Sequence, residues 1–255
     1  MSPRAVGSPR LHLRRVDSTN LRARELAAAG GPDGMVVTAT HQESGRGRQG
    51  RTWVAPPGRA LVCSVIVREP PRLIPLAAGV AVAETIEAVR QAESPAAIWA
   101  QAEGGGGAPV QVKWPNDVHL RGRKVAGILV EGRPQERWAV VGIGINVAVR
   151  GNEFPPELRA TATTLGLEPA AIPVVLRHLM GALGRWLDAT EEAVLDAFRV
   201  RDALIGREIR WERGAGGELT RHGRGTGVDA DGRLLVQTGA GETLALDSGE
   251  VHLKG

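Results

Sequence analysis

The sequence predicts an α+β protein, with helices and strands mixed over residues 10–203 and a small all-β unit over residues 204–255. Two observations carry this. Up to residue 203, helical stretches alternate with short β-branched runs, and several runs are joined by tight turns that pair neighbouring strands antiparallel. After "LIGREI" the helical texture stops, and short alternating strands broken by "GAGG", "DADG" and "GAG" predict a small barrel or sandwich.

In chain order, "DSTNLRARELAAAGG" reads as a helix that opens on capping residues Asp17 to Asn20 and stops at Gly30-Gly31. "MVVTAT" is a short strand after the "PDG" turn. "ALVCSVIV" (60–67) is a continuous apolar run of strand length, hence a buried strand. "LAAGVAVAETIEAVRQA" is a mostly buried helix, and "AEGGGGAP" (102–109) a flexible surface loop. "VQVKW" is a strand turned by "PND". "VHL" and "KVAGILVEG" form a hairpin, with "RWAVVGIGINV" (137–147) beside it. Two helices, near 170–188 and 190–202, complete the larger unit.

Composition narrows the class of function. The 255 residues are 42% hydrophobic, enough for a sizeable core, with aliphatics and Ala filling it because Tyr is absent. A net charge of +4 is too small to point to nucleic acid by itself. The single cysteine, Cys63, excludes an intramolecular disulfide and fits a reducing, cytoplasmic setting. "LIPLAAGVAVA" (73–83) is too short to span a bilayer, and "MSPRAVGSPRLHLRR" lacks the apolar core of a secretory signal. The six His lack ligand spacing and no C-x-x-C occurs, so no metal site made of side chains alone is expected.

"SGRGRQGRTW" (44–53) concentrates Arg46, Arg48 and Arg51 on Gly45, Gly47 and Gly50. Its G-x-G-x-x-G spacing is not a dinucleotide fingerprint, because Pro56-Pro57 forbids the helix that must receive the pyrophosphate. An RNA-binding Arg-Gly tract would repeat, and this one occurs once between two apolar strands. A solvated charged loop is the bland alternative. The glycines favour an anion site instead, with backbone N–H groups approaching a ligand that the guanidiniums grip. Mutual repulsion of the three cations and the entropy of the glycines predict a loop that is disordered when empty and ordered by an anionic ligand. Such a loop offers no nucleophile or general base and suits a reaction whose charge develops on phosphoryl oxygens.

Other clusters agree. "KWPND" puts Lys113 at a strand end with Asn116 and Asp117 on the turn. Lys124 heads the next strand, and Gly127 leaves room for close approach. "GIGIN" (142–146) alternates Gly with Ile, which marks a bulge or a neighbour pressed on the backbone. Asn146 ends it, to pair with an adenine edge or cap the strand. Ser18 has no activating base nearby in sequence and reads as an N-cap rather than a nucleophile.

"DSTN", "GRGRQGRTW", "KWPND", "RKVAGILVE" and "GIGIN", in this order and spacing, resemble the biotin–protein ligases over about residues 10–255. The resemblance is to the short monofunctional form, without an N-terminal DNA-binding domain. It implies a class II synthetase-like fold, a central mixed or antiparallel sheet with flanking helices, plus a C-terminal β-barrel. It also implies ATP- and Mg²⁺-dependent conversion of biotin to biotinoyl-5'-AMP, then transfer to a lysine of a biotin carboxyl carrier domain. By motif, Ser18, Thr19 and Gln42 hold the ureido end of biotin, with Asn20 beside them and Gly45, Arg46, Gly47 and Gly127 along the ligand. Arg46, Arg48 and Lys124 surround the carboxylate and α-phosphate, and Arg48 retains the adenylate. Arg51 and Lys113 meet the pyrophosphate. Trp53 packs over adenine, Asn146 meets its edge, and Asn116 and Asp117 orient Mg²⁺ or the incoming lysine. Gln49 stands where many members carry a basic residue, and His41 and Glu43 flank Gln42 in place of neutral or aromatic residues. "ILVEG" offers strand pairing across a two-fold, so a homodimer is an expectation. A lipoate or octanoate ligase of similar fold is the rival enzyme, and a nucleic-acid-binding protein the rival without catalysis.

Overall fold

The computed structural model describes residues 4–93, 110–212, 220–247, 249 and 251–253. The "AEGGGGAP" loop therefore lies outside the described residues. A seven-stranded mixed sheet is built from β1 (Arg10–Leu13), β2 (Val36–Ala39), β3 (Ala60–Arg68), β4 (Val110–Lys113), β5 (Asp117–Leu120), β6 (Arg123–Arg133) and β7 (Trp138–Asn146). Their order is β1-β2-β3-β7-β6-β5-β4. β1 is parallel to β2 and every other pairing is antiparallel. β1 is not signalled in the sequence, because "RLHL" is a short, charged edge that leaves only half its residues partly covered.

Helices cover both faces, which is why β3 reads as an unbroken apolar run. On one face α2 (Ile74–Glu93), α3 (Ile172–Leu187) and α4 (Glu191–Arg199) bury the main core against Leu61, Cys63, Val65, Ile143 and Ile145. Burial pushes the Cys63 thiol up to about 12, so it stays an inert thiol at neutral pH. On the other face α1 (Thr19–Ala28) packs Ala23 and Ala27 on Val37, Ile66 and Val140. α1 covers only one end of that face, and the sheet beyond its N-terminus forms the floor of a cleft.

The C-terminal unit is an antiparallel sheet of β8 (Glu208–Glu212), β9 (Thr220–Val228), β10 (Leu234–Thr238), β11 (Thr243–Leu246) and β12 (Val251–Leu253), ordered β11-β10-β9-β8-β12. This is the small all-β unit that the sequence predicts after residue 203, with β11 and β12 at the two ends of the strand order. Its core is continuous with the main one through Leu204, Ile209, Trp211 and Val236. Polar ties add to this: Trp114 Nε1 donates to the Gly232 carbonyl at 2.9 Å, and Arg72 donates to Asp231 at 2.5 Å and to the Ala230 carbonyl at 2.9 Å.

Candidate active site

Strand register lays out the cleft floor. One row across the sheet runs Val62, Gly144, Gly127, Asp117, Lys113, on β3, β7, β6, β5 and β4. Two residues along, a second row runs Ser64, Gly142, Leu129. On the opposite side Ala60 pairs with Asn146. Rows lie about 7 Å apart, so Gly142, Gly144 and Asn146 span roughly 14 Å along β7. This accounts for "GIGIN": Ile143 and Ile145 enter the helix-covered core, while the glycines and Asn146 face the cleft. The cleft has a volume of about 680 Å³, within the usual range for small-molecule sites.

Each glycine has a neighbour on it. A Cβ on Gly142 would collide with Asn20 Oδ1, and one on Gly144 with the Trp53 ring. A Cβ on Gly127 would come 3.2 Å from both the Trp53 ring and the Lys124 chain. The room that Gly127 leaves is thus taken by Trp53 and Lys124 rather than standing open.

At the Gly142 end sits a polar nest. Ser18, Thr19 and Asn20 are buried at the start of α1. Ser18 occupies the N-cap position, yet its side chain makes no capping bond, contrary to the role read from sequence. Thr19 donates to Gln42 Oε1 from its backbone N–H (2.8 Å) and from its hydroxyl (2.9 Å). Ser64 Oγ lies 2.8 Å from Thr19 Oγ1 and 2.7 Å from Asn20 Oδ1. Asn20 Nδ2 donates to Glu131 at 2.8 Å. Ser64 and Glu131 were missed in the sequence; Ser64 was signalled only as the hydroxyl inside "ALVCSVIV".

At the Asn146 end, Asn146 is 4% exposed and donates through Nδ2 to the Thr163 carbonyl at 3.0 Å, while its Oδ1 has no partner. A buried acceptor left unpaired is costly and marks a place for a donor from a ligand. Trp53 Nε1 is likewise buried without a partner.

Between the ends lie the cations. Lys124 Nζ is 2.7 Å from Asp117 and 6.0 Å from the Trp53 ring centroid. The β5–β6 register skips Val125, pairing Val118 with Ala126 but His119 with Lys124. That bulge turns Lys124 onto the face of Gly127 and Asp117, where strict alternation would have buried it. The Lys124 backbone is also fixed: its N–H donates to the Thr161 carbonyl and its carbonyl accepts from Thr163, both at 2.8 Å. Lys113 lies beside Asp117, and burial depresses its ammonium, with Asp117 opposing and Lys124 and Arg51 reinforcing the shift. His119, also lining the cleft, is pushed down to about 4 by burial and then by Lys113 and Lys124, so it is neutral at pH 7.

The glycine–arginine loop closes over this row. Its legs are joined by an Arg46–Thr52 bridge, and the Gly45 carbonyl accepts from Trp53 N–H at 2.9 Å. Gln49 and Gly50 take left-handed φ of 53° and 77° at the tip. Arg48 donates to Asn116 Oδ1 at 3.3 Å, and burial depresses its guanidinium, with Asp117 pushing it back up. Arg46 lies 3.3 Å from Glu131, on the Asn20 side of the cleft. Gly47 and Arg51 line the cleft mouth, and Arg51 bears on Lys113 and Arg48. Asn116 is a strut, donating to the Ile128 carbonyl at 2.8 Å while accepting from Arg48. Arg210, His252 and Leu253 from the C-terminal sheet also line the cleft and were missed in the sequence.

The arrangement offers clustered hydrogen-bonding groups at one end, an unpaired acceptor at the other and cations for anionic groups between. Among the described residues no cluster of three or more His, Cys, Asp or Glu could hold a metal by itself. Asp117 is a single carboxylate of the kind that holds Mg²⁺ arriving with nucleotide phosphates.

Comparison with known proteins bears on this arrangement. Residues 204–254 match the biotin protein ligase C terminal domain. The chain is 34% identical over 252 residues to the biotin–[acetyl-CoA-carboxylase] ligase of Mycobacterium tuberculosis, covering 93% of this chain and 86% of that one. It is 33% identical to the enzyme of the same description from Paracoccus denitrificans, covering 95% of this chain and 100% of that one. The biotin protein ligase of Aquifex aeolicus, solved in complex with biotin and ATP, superposes with a TM-score of 0.74 at 27% identity, over 97% of this chain and 99% of that one. With residues 12–148 matching its defining domain, the chain belongs to the biotin/lipoate A/B protein ligase family.

Proposed function

We propose that this protein is a biotin–protein ligase that activates biotin with ATP to biotinoyl-5'-AMP and transfers it to a lysine of a biotin carboxyl carrier domain. The observation that carries the reading is the spacing of the cleft: a polar nest at Gly142, cations over the middle row and an unpaired Asn146 acceptor, all within about 14 Å along one strand. Ser18, Thr19, Asn20 and Gln42 hold the ureido end, with Gly45, Arg46, Gly47 and Gly127 along the ligand. The biotin carboxylate then reaches Lys124. Its oxygen attacks the α-phosphorus, the α–β phosphoanhydride bond breaks, and pyrophosphate leaves toward Arg51 and Lys113. Lys124 and Arg48 stabilise the charge that develops on the α-phosphoryl oxygens, while Arg46, paired with Glu131 on the Asn20 side, lies along the ligand rather than at the α-phosphate that the resemblance implies for it. Trp53 packs on adenine, whose exocyclic amine donates to Asn146 Oδ1. Asp117, beside Asn116, would hold Mg²⁺, which when bound neutralises phosphate charge. In the second step the carrier amine attacks the acyl carbon, AMP leaves and an amide forms.

Residues 10–203 act as the catalytic unit, with the C-terminal unit, 204–255, closing the cleft mouth through Arg210 and His252. Among the described residues no helix is long and apolar enough to cross a membrane, and the reaction suits the cytoplasm. β6 outruns β5, so residues 129–133 pair on one side only and leave a strand edge for a homodimer. Labelled-biotin transfer to a purified carrier domain with ATP and Mg²⁺ tests the function. Transfer of lipoate in place of biotin overturns the substrate, and absence of acyl transfer overturns the enzyme.

A further inference from the structure

Glu131 stands on the cleft face of β6, two residues past Leu129, with only 19% of its side chain exposed. Three groups converge on its carboxylate. Oε2 accepts from Asn20 Nδ2 at 2.8 Å, and Oε1 lies 3.2 Å from Arg24 of α1 and 3.3 Å from Arg46 of the glycine–arginine loop. Asn20 has little freedom, being bonded to Ser64 and seated on Gly142. Arg46 is equally strategic. It forms the bridge with Thr52 that joins the two legs of the loop, so fixing Arg46 fixes both legs. The loop is therefore anchored at two points: Arg46 on Glu131 and Arg48 on Asn116.

We infer that Glu131 is a positioning residue that docks the glycine–arginine loop, through Arg46, onto the wall that holds Asn20, coupling loop closure to the contents of the polar nest. A ligand that tightens Asn20 strengthens the carboxylate's hold on Arg46, and a docked Arg46 in turn keeps Asn20 oriented. The coupling is reciprocal by linkage. The docking itself is independent of which ligand the nest takes; only its consequence for biotin rests on the proposed function.

Limited trypsin digestion of the ligand-free protein, with cleavage after Arg48 and Arg51 followed by mass spectrometry, reads the docking directly. Glu131→Gln keeps an acceptor for Asn20 and nearly the same volume while removing the charge. It should raise loop cleavage roughly five- to tenfold. Arg46→Gln should do the same, and the double variant should be no faster than either single one. Arg24→Gln, which removes the other cation but no loop contact, should not raise the rate. A parental rate in Glu131→Gln, or single effects that multiply in the double variant, overturns the inference. If Glu131→Gln fails to fold, Arg46→Gln decides alone: cleavage must rise at an unchanged Tm, and an unchanged rate refutes docking. Biotin dissociation, measured afterwards, should quicken in Glu131→Gln. Faster loop cleavage in a protein whose parent binds no biotin would leave the docking standing and sink the functional reading instead.

Discussion

Lys124 Nζ meets Asp117 at 2.7 Å because the bulge at Val125 brings the two residues to one face of the sheet. The bulge also sends Val125 into the main core, where it is fully buried. One skipped pairing thus serves packing on one face and chemistry on the other. Lys124→Ala should lower biotin-dependent ATP–pyrophosphate exchange by roughly 100-fold or more, the scale for losing one charge-stabilising donor. It also removes the cation in direct contact with Asp117, so stability should fall. Lys124→Met combined with Asp117→Asn should recover the stability and not the exchange. Exchange near the parental rate in Lys124→Ala would remove this residue from the catalytic set.

Gly142 and Gly144 admit two different neighbours, which makes them separable probes. In Gly142→Ala the new methyl collides with Asn20, disturbing the nest and its bonds to Ser64 and Glu131. In Gly144→Ala it collides with the Trp53 ring. Overpacking of this kind costs about 1–3 kcal/mol. Titration calorimetry should show weaker biotin binding chiefly in Gly142→Ala and weaker nucleotide binding chiefly in Gly144→Ala. Equal losses of both ligands in both variants would contradict the division of the cleft.

Arg48 combines partial burial with a single long hydrogen bond to Asn116, so its guanidinium is positioned but weakly committed. It stays cationic at neutral pH despite the downward shift. Arg48→Ala should let biotinoyl-AMP escape into solution and label lysines of an added non-carrier protein. Streptavidin blotting of such a mixture checks this, and labelling confined to the carrier domain would argue against retention by Arg48.

Much of this layout is legible in the sequence. "DSTN" opening a helix, the cations of the glycine loop, "KWPND" and the alternation of "GIGIN" each report a local backbone state or a charge cluster, and local states are written in local sequence. What escaped depends on register. Lys124 and Gly127 both stand out in the sequence, but they are three apart, so alternation places them on opposite faces, and only the bulge at Val125 puts them on one. Ser64 lies within an apolar run whose pairing partner, Gly142, is 78 residues away. Glu131 looks like a solvated strand end until α1 and the loop converge on it. Arg210 and His252 reach the cleft only through docking of the C-terminal sheet, which no short motif encodes. Ser18 shows the reverse: its N-cap position was correct while its hydroxyl was left uncommitted by the helix.

His119 supplies a prediction about pH. It is buried, hydrogen-bonded to the Gly122 backbone, and held down to about 4 against an ordinary value of 6.5, first by burial and then by Lys113 and Lys124. In the unfolded chain it binds a proton as pH falls through about 6.5, whereas the folded protein resists until about 4. The unfolded state thus holds more protons across that window, so stability rises with pH there and is lost on acidification. For this one group the loss should reach about 2–3 kcal/mol by pH 4.5 relative to pH 7. His119→Gln keeps a hydrogen-bond donor and removes the titration. Denaturant melts of parent and variant at pH 7 and 4.5 should therefore differ in their acid-induced loss by that amount. An anionic ligand beside Lys113 and Lys124 offsets their repulsion, so pyrophosphate should shrink the difference. Identical acid sensitivity of parent and variant would mean that His119 is solvated in the folded protein.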